Sequence, residues 1–459
     1  MDLVRDIYQD LWNWKEEDSG RVLELRGARQ VGKTYILDKF ARENYSRYFY
    51  INMVQTSGQE FLACLEQATA WAPGMPRKEK PLHEAMALFD TRFQDDKDTI
   101  VVIDEIQESA KVYSLIRQFA REFQCHFVVT GSYLGKTLSK EYFQPVGDLD
   151  ILTLYTLSFE EFLMAFGKRE LYDRIDLYGA GKHEEYDELK AYYEVYCQIG
   201  GYPAVVKTYL ETRDLEACKK EIDRVIYIFT EESQAYFDDV LDINLFGQIL
   251  PAIAHTMIKE KKGSEDLITE LSRIVYKQES NRVTKRSINQ AIAWLYRSHI
   301  IDFCGKANDC NPLNVSMNSR FYFMDIGVCH HFLDTAGADT AALRGIVNEN
   351  FVYVELLKRV RMFKMAGTSP MFGTYKEGEI DFLVNSRETY KNYGIEVKAG
   401  KSEGKTAQQL LRDGKVEAVY FLKGDTYGGV SDRKITVPIY LVGRVKFDYV
   451  EQKGLDDVE

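Results

Sequence analysis

The chain contains little proline, few cysteines and no long apolar run. Nine prolines in 459 residues, with 45% hydrophobic and 28% charged residues, exclude disordered, collagen-like and low-complexity proteins. The seven cysteines are odd in number and include no Cys-x-x-Cys, which is typical of reduced thiols. A membrane span needs about 18 consecutive apolar residues, and the first residues do not resemble a secretory signal. We therefore expect a cytoplasmic protein with no membrane partner.

The chain also lacks an excess of basic residues. It has 59 Lys and Arg against 71 Asp and Glu, which gives a formal charge of −12. Binding to a nucleic-acid backbone depends on Lys and Arg that neutralise phosphates, so nucleic-acid contact would have to come from local basic islands. The length predicts roughly three domains, each with its own core.

The first strong motif is a phosphate-binding loop in VLELRGARQVGKT, residues 22 to 34. An apolar run precedes the pattern GxxxxGKT, in which Lys33 is expected to reach the β- and γ-phosphates of ATP and Thr34 to bind Mg²⁺. The backbone N–H groups of the loop and of the following helix would surround phosphate oxygens. The predicted nucleotide-binding residues of this loop are Gly27, Ala28, Arg29, Gln30, Val31, Gly32, Lys33 and Thr34.

A second motif, TIVVIDE at residues 99 to 105, predicts a buried strand that ends in two acids. Asp104 is expected to bind Mg²⁺ and Glu105 to polarise the attacking water. A similar run, HFVVTGS at residues 126 to 132, places Thr130 or Ser132 where a hydroxyl could sense the γ-phosphate. Thr130 joins the predicted binding set, although an ordinary strand end is an equally good interpretation for it.

Together these motifs and several later segments resemble one protein family, the prokaryotic AAA+ ATPases with a C-terminal restriction-endonuclease-like domain of the DUF4143 type. The further segments are IDEIQ (103–107), VVTGS (128–132), LSFEEFL (157–163), GGYP (200–203), NENFVYVEL (348–356), EIDFLV (379–384) and IEVK (395–398). The resemblance implies an α/β protein with four parts: a P-loop ATPase core (1–157), a helical lid (158–240), a winged-helix-like segment (241–325) and a nuclease-like domain (326–459).

The chain departs from this family before LSFEEF, where members often carry Gly-Arg. Here Gly147 is followed by Asp148, so an arginine that would stabilise charge on the γ-phosphate is absent from that position. Arg121, Lys136 and Lys140 are alternative sources of the positive charge. We therefore expect nucleotide binding but not necessarily efficient turnover.

A local basic island lies at residues 259 to 297, with nine Lys and Arg against five acids. After Thr284 as an N-cap, a predicted helix has an apolar stripe and presents Lys285, Arg286 and Arg297 elsewhere, which favours DNA contact. Residues 299–304 would form a wing strand. The alternative is a protein-interaction module, because exposed helix faces are normally charged.

The C-terminal part predicts a helix at 345–359 and three strands at about 371–375, 379–385 and 393–398, then a helix near 406–413 and a strand near 416–422. Residues two apart on a strand share a face. The candidate catalytic residues Glu349, Asp381, Glu396 and Lys398 resemble the PD-(D/E)xK nuclease set, in which Asp381 and Glu396 would hold Mg²⁺. The alternative is a salt-bridged strand surface.

Two functions remain open. In the first, ATP with Mg²⁺ gates a nuclease-like domain that acts on DNA. In the second, the protein is a nucleotide-controlled regulatory switch that binds a partner without cutting it. An oligomer is compatible with both.

Overall fold

A computed structural model describes residues 2–70, 78–132, 142, 145, 147–235, 245–259, 271, 284–361, 369–386, 389–398 and 404–447. They form two compact units. The N-terminal unit comprises Arg5–Tyr155 with Arg297–His299, and the C-terminal unit comprises Met1–Val4, Thr156–Tyr296 and Ile300–Glu459. Within the described ranges, each helix is too short or too polar to cross a bilayer.

The N-terminal unit is built on a five-stranded parallel sheet with the order β2-β3-β4-β1-β5. Its strands are β1 (Val22–Arg26), β2 (Arg47–Asn52), β3 (Thr99–Asp104), β4 (His126–Thr130) and β5 (Leu149–Thr153). Every residue of β3 and β4 is buried, as expected for β-branched and apolar strands covered on both faces. Because the strands are parallel, the segments that follow β1, β3 and β4 meet at one edge of the sheet. This is the predicted P-loop α/β architecture.

Six described helices accompany this sheet: α1 (Ile7–Glu17), α2 (Lys33–Asn44), α3 (Thr56–Thr69), α4 (Pro81–Phe89), α5 (Ala110–Tyr113) and α6 (Ile116–Glu122). Helix α2 begins at the lysine of the phosphate-binding loop and buries Ile36, Phe40 and their neighbours. On one side of the sheet Phe61, Val101 and Phe127 belong to a single apolar core. Burial of such side chains stabilises the fold by about 1.5–3 kcal/mol each and fixes the sheet edge that carries the motifs.

Helices dominate the chain after β5, and those between residues 158 and 235 agree with the predicted helical segment. The helices are α7 (Phe159–Ala165), α8 (Arg169–Arg174), α9 (His183–Ile199), α10 (Pro203–Thr212), α11 (Leu215–Ala235), α12 (Leu245–Lys259), α13 (Lys285–Arg297), α14 (Ile326–Thr335), α15 (Thr340–Arg361) and α16 (Lys405–Arg412). Helix α7 starts with a capping box, in which the Ser158 hydroxyl accepts from Glu161 N and the Glu161 carboxylate accepts from Ser158 N.

An eight-stranded mixed sheet forms the rest of the C-terminal unit, in the order β12-β13-β11-β10-β9-β8-β6-β7. Its strands are β6 (Ile301–Asn308), β7 (Val315–Phe323), β8 (Met371–Tyr375), β9 (Gly378–Asn385), β10 (Asn392–Lys398), β11 (Val419–Lys423), β12 (Gly429–Ser431) and β13 (Lys434–Pro438). The predicted order of helix, three strands, helix and strand after residue 345 is confirmed by α15, β8, β9, β10, α16 and β11.

The segment predicted as a wing strand, residues 299–304, forms a strand from Ile301 onward, and its role as a wing stays a prediction. This strand, β6, pairs antiparallel with β7 and parallel with β8 inside the large sheet. Ile301, Cys304 and Ala307 are buried there. The sheet therefore takes strands from both sides of the expected boundary at residues 325 and 326.

Candidate nucleotide site and a second, acidic site

The phosphate-binding loop runs from the end of β1 to the start of α2, as predicted. Gly27 has φ of 146°, and a Cβ atom at this position would lie 2.1 Å from the Leu154 carbonyl oxygen, so only glycine fits. The buried Arg5 donates from Nη1 to the Val31 carbonyl at 2.9 Å. Within the loop, Gln30 is exposed with φ of 63° and Arg29 is half-buried. The loop is thus contacted by the Arg5 side chain, and Gly27 lies against the backbone of Leu154.

Lys33 lies at the first position of α2 and is buried. Its Nζ donates to the carbonyl oxygens of Gly27 at 2.9 Å and Ala28 at 2.8 Å. Burial lowers the pKa of Lys33 to about 8, although Glu105 and Asp104 favour its charged form. The ammonium group therefore sits inside the loop, on backbone oxygens that phosphate oxygens could replace.

Asp104, the last residue of β3, accepts side-chain hydrogen bonds from one helix, α2, and from one neighbouring strand, β2. The Thr34 hydroxyl donates to Asp104 Oδ2 at 2.8 Å, and the Tyr50 hydroxyl donates to the same oxygen at 2.7 Å. The Asn52 side-chain amide donates to the Tyr50 oxygen at 3.2 Å. A hydroxyl and a carboxylate in contact are hard oxygen donors of the kind that Mg²⁺ prefers, so the predicted residues Thr34 and Asp104 are brought together.

Glu105 follows directly and adopts a left-handed backbone conformation, with φ of 51°. Its carboxylate accepts from the Ser132 backbone N–H at 3.1 Å, from the Ser132 hydroxyl at 3.1 Å and from Gln107 Nε2 at 2.6 Å. The backbone N–H of Glu105 donates to Asp104 Oδ1 at 2.8 Å. This strained backbone conformation places the Glu105 carboxylate at the same edge of the sheet as Lys33.

The prediction that Thr130 senses the phosphate is not supported by its position. Thr130 is fully buried, and its hydroxyl donates to the Leu25 carbonyl at 2.8 Å, between β4 and β1. Ser132, the other hydroxyl named for this role, contacts Glu105. Ser132, two residues beyond the end of β4, therefore contacts the site. Thr130, inside β4, instead hydrogen-bonds to the neighbouring strand β1.

Asp148 lies at the opposite edge of the parallel sheet from the phosphate-binding loop. Its carbonyl accepts from the backbone N–H of Val22, where β1 begins, and the loop follows β1 at its other end. Its buried carboxylate accepts from Arg117 Nε at 2.9 Å and from Arg121 Nε at 3.0 Å. Five strand residues span about 16 Å. Neither residue 148 nor Arg121 can therefore supply charge to a phosphate on the same chain, and Lys136 and Lys140 lie outside the described residues.

The second site lies in the C-terminal unit, where β9 and β10 pair antiparallel. Asp381 Oδ2 accepts from the Val397 backbone N–H at 2.6 Å, and Lys398 Nζ lies 3.1 Å from Glu396 Oε2. Burial and the neighbouring Glu396 raise the pKa of Asp381 to about 7. The structure thus brings Asp381, Glu396 and Lys398 together, as predicted, with negative charge that Lys398 does not fully compensate.

Glu349, on α15, lies close to Asp381 and Lys398. Its Oε1 accepts from the Tyr322 hydroxyl at 2.6 Å and lies 3.6 Å from Arg320 Nη1. Burial, followed by Asp381, raises the pKa of Glu349. Arg320 also donates from Nη2 to Glu379 at 2.7 Å. Glu349 is therefore close enough to Asp381 and Lys398 to interact electrostatically with both.

A cavity of about 590 Å³ opens beside these groups and is lined by Arg320, Tyr322, Glu349, Glu379 and Asp381 among others. Sequence analysis missed Arg320, Tyr322 and Glu379. The sequence did indicate two of them together, because Arg320 and Tyr322 are two positions apart on one strand and therefore lie on the same face of the sheet. In the part of the chain that the structure describes, no group of three or more His, Cys, Asp or Glu side chains is arranged to hold a metal ion.

The predicted basic helix forms as α13, with Thr284 hydrogen-bonded to Ser287 at its start. Ile288, Ala291, Ile292 and Leu295 are buried, which confirms the apolar stripe. Lys285, Arg286 and Arg297 are exposed. Most of the other basic residues counted between 259 and 283 lie outside the described residues.

Comparison with known families agrees with the first of these sites. Residues 19–163 match the model of a family described as an AAA domain, and this span includes the phosphate-binding loop, β3 and β4. Residues 190–339 match a domain of unknown function (DUF8612), which is a different domain from the DUF4143 type that the resemblance predicted. No curated protein sequence matches the chain significantly.

Several solved structures match the chain at low identity and with TM-scores below 0.5. A Walker-type ATPase of Pyrococcus abyssi has 12% identity and a TM-score of 0.42, over 72% of this chain and 96% of that protein. The Aeropyrum pernix ORC1 protein, solved in complex with DNA, has 13% identity and a TM-score of 0.31, over 76% and 94%. A RuvB mutant of Thermotoga maritima has 15% identity and a TM-score of 0.30, over 64% and 87%.

Proposed function

We propose that the N-terminal unit binds ATP with Mg²⁺ and hydrolyses it. The observation that carries this proposal is the meeting of Lys33, Thr34, Asp104 and Glu105 at one edge of a parallel sheet. The match of residues 19–163 to an AAA domain supports it. Phosphate oxygens would replace the carbonyl oxygens of Gly27 and Ala28 as partners of Lys33.

Each residue has a distinct role in this proposal. Thr34 and Asp104 hold Mg²⁺, which neutralises charge on the β- and γ-phosphates. Glu105 orients a water molecule for attack on the γ-phosphorus and accepts its proton. Ser132 fixes the Glu105 carboxylate through its two hydrogen bonds. Asp148 stands where members of the resembled family often carry an arginine, but it lies too far from the loop to act on the same chain, so the missing charge would slow turnover at a site that a second copy completes.

The test of binding is isothermal titration calorimetry with Lys33→Ala. The substitution removes the ammonium group that would contact the β- and γ-phosphates, so ATP binding should fall below detection. Arg42→Ala, an exposed cation on the same helix that pairs with Asp38, is the matched control and should bind ATP normally. Unchanged ATP affinity in Lys33→Ala would contradict the proposal.

A second function is favoured at the C-terminal site: metal-dependent cleavage of a nucleic-acid phosphodiester, gated by ATP. The observation behind it is the raised pKa of Asp381 beside Glu396, with Lys398 3.1 Å from Glu396. Among the described residues, Asp381 and Glu396 are two carboxylates rather than a complete metal site, so they would share a divalent cation with water and substrate, and the cation would supply Lewis acidity to a phosphodiester. Lys398 would orient the attacking water, and Glu349 would hold a proton.

This second function has a direct test. Mn²⁺ should raise the melting temperature of Lys33→Ala protein without nucleotide, because a cation that binds only the folded state stabilises it. Asp381→Ala should remove that shift, and with it any DNA cleavage. Asp413→Asn, which alters a carboxylate paired with Lys376 elsewhere in the unit, should keep the shift. If DNA is bound but never cut, the alternative of a regulatory switch stands.

DNA contact is assigned to α13 in this proposal, through Lys285, Arg286 and Arg297. The helix has its apolar stripe buried and these three cations exposed. Lys285→Glu with Arg286→Glu should weaken DNA binding and flatten its dependence on salt, because fewer counterions are released. Superimposable salt titrations would favour a protein partner.

A further inference from the structure

Gln107 is a polar side chain in apolar surroundings. It is 1% exposed and belongs to a short 3-10 turn, Ile106–Glu108, that follows β3. Its backbone carbonyl accepts a hydrogen bond from the Tyr142 hydroxyl. Both Tyr142 and Ile106 belong to the same apolar core as Phe127. The Gln107 side chain is therefore withdrawn from water.

The amide of Gln107 is only half satisfied. Its Nε2 donates to Glu105 Oε2 at 2.6 Å. Its buried Oε1 accepts no hydrogen bond from any described residue. Burying a polar atom without a partner costs free energy that an apolar side chain of the same shape would avoid. Stability alone therefore does not account for an amide at this position, whereas the contact with Glu105 does.

The backbone around Glu105 allows this contact to form. Residues two positions apart do not face each other on a regular helix. Glu105 instead has a left-handed conformation, with φ of 51°. The turn closes behind it, where the Glu108 backbone N–H donates to the Glu105 carbonyl at 3.0 Å. The side chains of Glu105 and Gln107 meet in spite of their spacing.

The contact gives the two oxygens of the Glu105 carboxylate different surroundings. Oε2 accepts from the Gln107 amide and from the backbone N–H of Ser132. Among the described donors, Oε1 accepts only from the Ser132 hydroxyl. A carboxylate has about four lone-pair sites in all. Oε2 is therefore filled, and one site of Oε1 is left for a water molecule.

We propose that Gln107 is a positioning residue for ATP hydrolysis, which orients the Glu105 carboxylate so that Oε1 faces the attacking water. The inference rests on the function proposed above for the N-terminal unit and adds which oxygen takes the proton. The water oxygen forms a bond to the γ-phosphorus as the bond to the ADP oxygen breaks, and the proton of the water passes to Oε1. Gln107 acts only through Glu105.

The test is Gln107→Met, which keeps the length of the side chain and removes both polar atoms of the amide. Without the Nε2 donor, kcat should fall about tenfold, which corresponds to about 1.4 kcal/mol in the barrier, while ATP affinity stays within about twofold. The melting temperature should not fall, because the unpaired buried acceptor is lost together with the donor. A lower melting temperature with unchanged kcat would show a structural role and overturn the inference.

A double-mutant comparison shows whether Gln107 acts through Glu105. In a Glu105→Gln background, Gln107→Met should change the residual rate by less than about twofold, because substitutions that affect one group are not additive. Gln118→Met is the matched control and should keep the wild-type kcat. It removes an exposed amide that donates to the Glu122 carboxylate at 3.4 Å. If Gln107→Met does not fold, Gln107→Leu replaces it in both backgrounds.

The outcomes separate this inference from the proposed function. If Glu105→Gln is slow but Gln107→Met hydrolyses ATP at the wild-type rate, the proposed role of Glu105 stands and the inference is overturned. An equal loss of rate on Gln107→Met in both backgrounds also overturns it, because Gln107 would then not act through Glu105. If Glu105→Gln itself keeps the wild-type rate, the proposed role of Glu105 fails and the inference fails with it.

Discussion

The Tyr50 hydroxyl donates to Asp104 Oδ2 at 2.7 Å, on the same oxygen that accepts the Thr34 hydroxyl at 2.8 Å. If Thr34 were to turn a lone pair toward Mg²⁺, Tyr50 would remain the donor to this oxygen. Burial raises the pKa of Tyr50 well above its usual value, so the phenol keeps its proton. The structure therefore links the second strand of the sheet to the carboxylate that is proposed to hold Mg²⁺.

Tyr50→Phe should raise the Mg²⁺ concentration that gives half-maximal ATP hydrolysis by about fivefold. The reason is the loss of one hydrogen bond to a carboxylate, worth about 1 kcal/mol net. Tyr48→Phe, two residues earlier on the same strand and beside Arg42, is the matched control and should behave like wild type. Equal Mg²⁺ dependence in both variants would show that Tyr50 does not position Asp104.

ATP affinity should fall as the pH rises above 8. In the nucleotide-free protein the pKa of Lys33 is about 8, lowered from its ordinary value, so the lysine is increasingly neutral above that pH. Bound phosphates favour the charged form, so binding takes up a proton in this range. Calorimetry at increasing pH, in buffers with different ionisation enthalpies, would detect that uptake.

Lys33→Arg provides the control, because a guanidinium stays charged throughout this range. Its residual affinity should not change with pH above 8. An affinity that is flat in wild type as well would contradict the burial of the Lys33 ammonium.

Ser132→Ala should lower kcat by roughly five- to tenfold and leave ATP affinity within twofold. The hydroxyl that holds Glu105 Oε1 is lost, while the backbone N–H to the same carboxylate remains. A tenfold change in rate corresponds to about 1.4 kcal/mol in the barrier. Single-turnover hydrolysis measures this step separately from product release.

Thr130→Val should have the opposite effects to Ser132→Ala, with a loss of stability but no loss of kcat. The buried Leu25 carbonyl loses its side-chain donor, which should cost about 1–3 kcal/mol in the free energy of unfolding. Its kcat should be unchanged, because the Thr130 hydroxyl does not face the site. A kcat loss in Thr130→Val without a loss of stability would restore the original prediction for this residue.

Short motifs were predictable from sequence because their chemistry is local. The phosphate-binding loop, the acids after β3 and the spacing of Glu396 and Lys398 each lie within a few residues, so strand and helix periodicity places them. Thr130 was misjudged because its partner, the Leu25 carbonyl, lies 105 positions away. The pairing of β6 inside the large sheet was missed for the same reason, since its parallel neighbour β8 begins at Met371.

The GGYP segment shows how a motif can be structural. Gly200 follows the end of α9, and the backbone N–H of Gly201 donates to Asp325 Oδ2 at 2.9 Å. Asp325 Oδ1 also caps α14 through Gly327 N at 2.9 Å. A Cβ at Gly201 would lie 2.1 Å from the Leu157 carbonyl oxygen. The GGYP segment therefore ends α9 and contacts Asp325 at the start of α14, a contact that sequence alone did not reveal.

The central claim is that Glu105 activates water at a site that holds Mg²⁺ and ATP, and hydrolysis by Glu105→Gln tests it most directly. The amide keeps the size of the side chain but cannot accept the proton, so ATP should bind with wild-type affinity. Phosphate release in a single turnover should fall by about 100-fold or more. A Glu105→Gln protein that binds ATP and hydrolyses it at the wild-type rate would contradict the account.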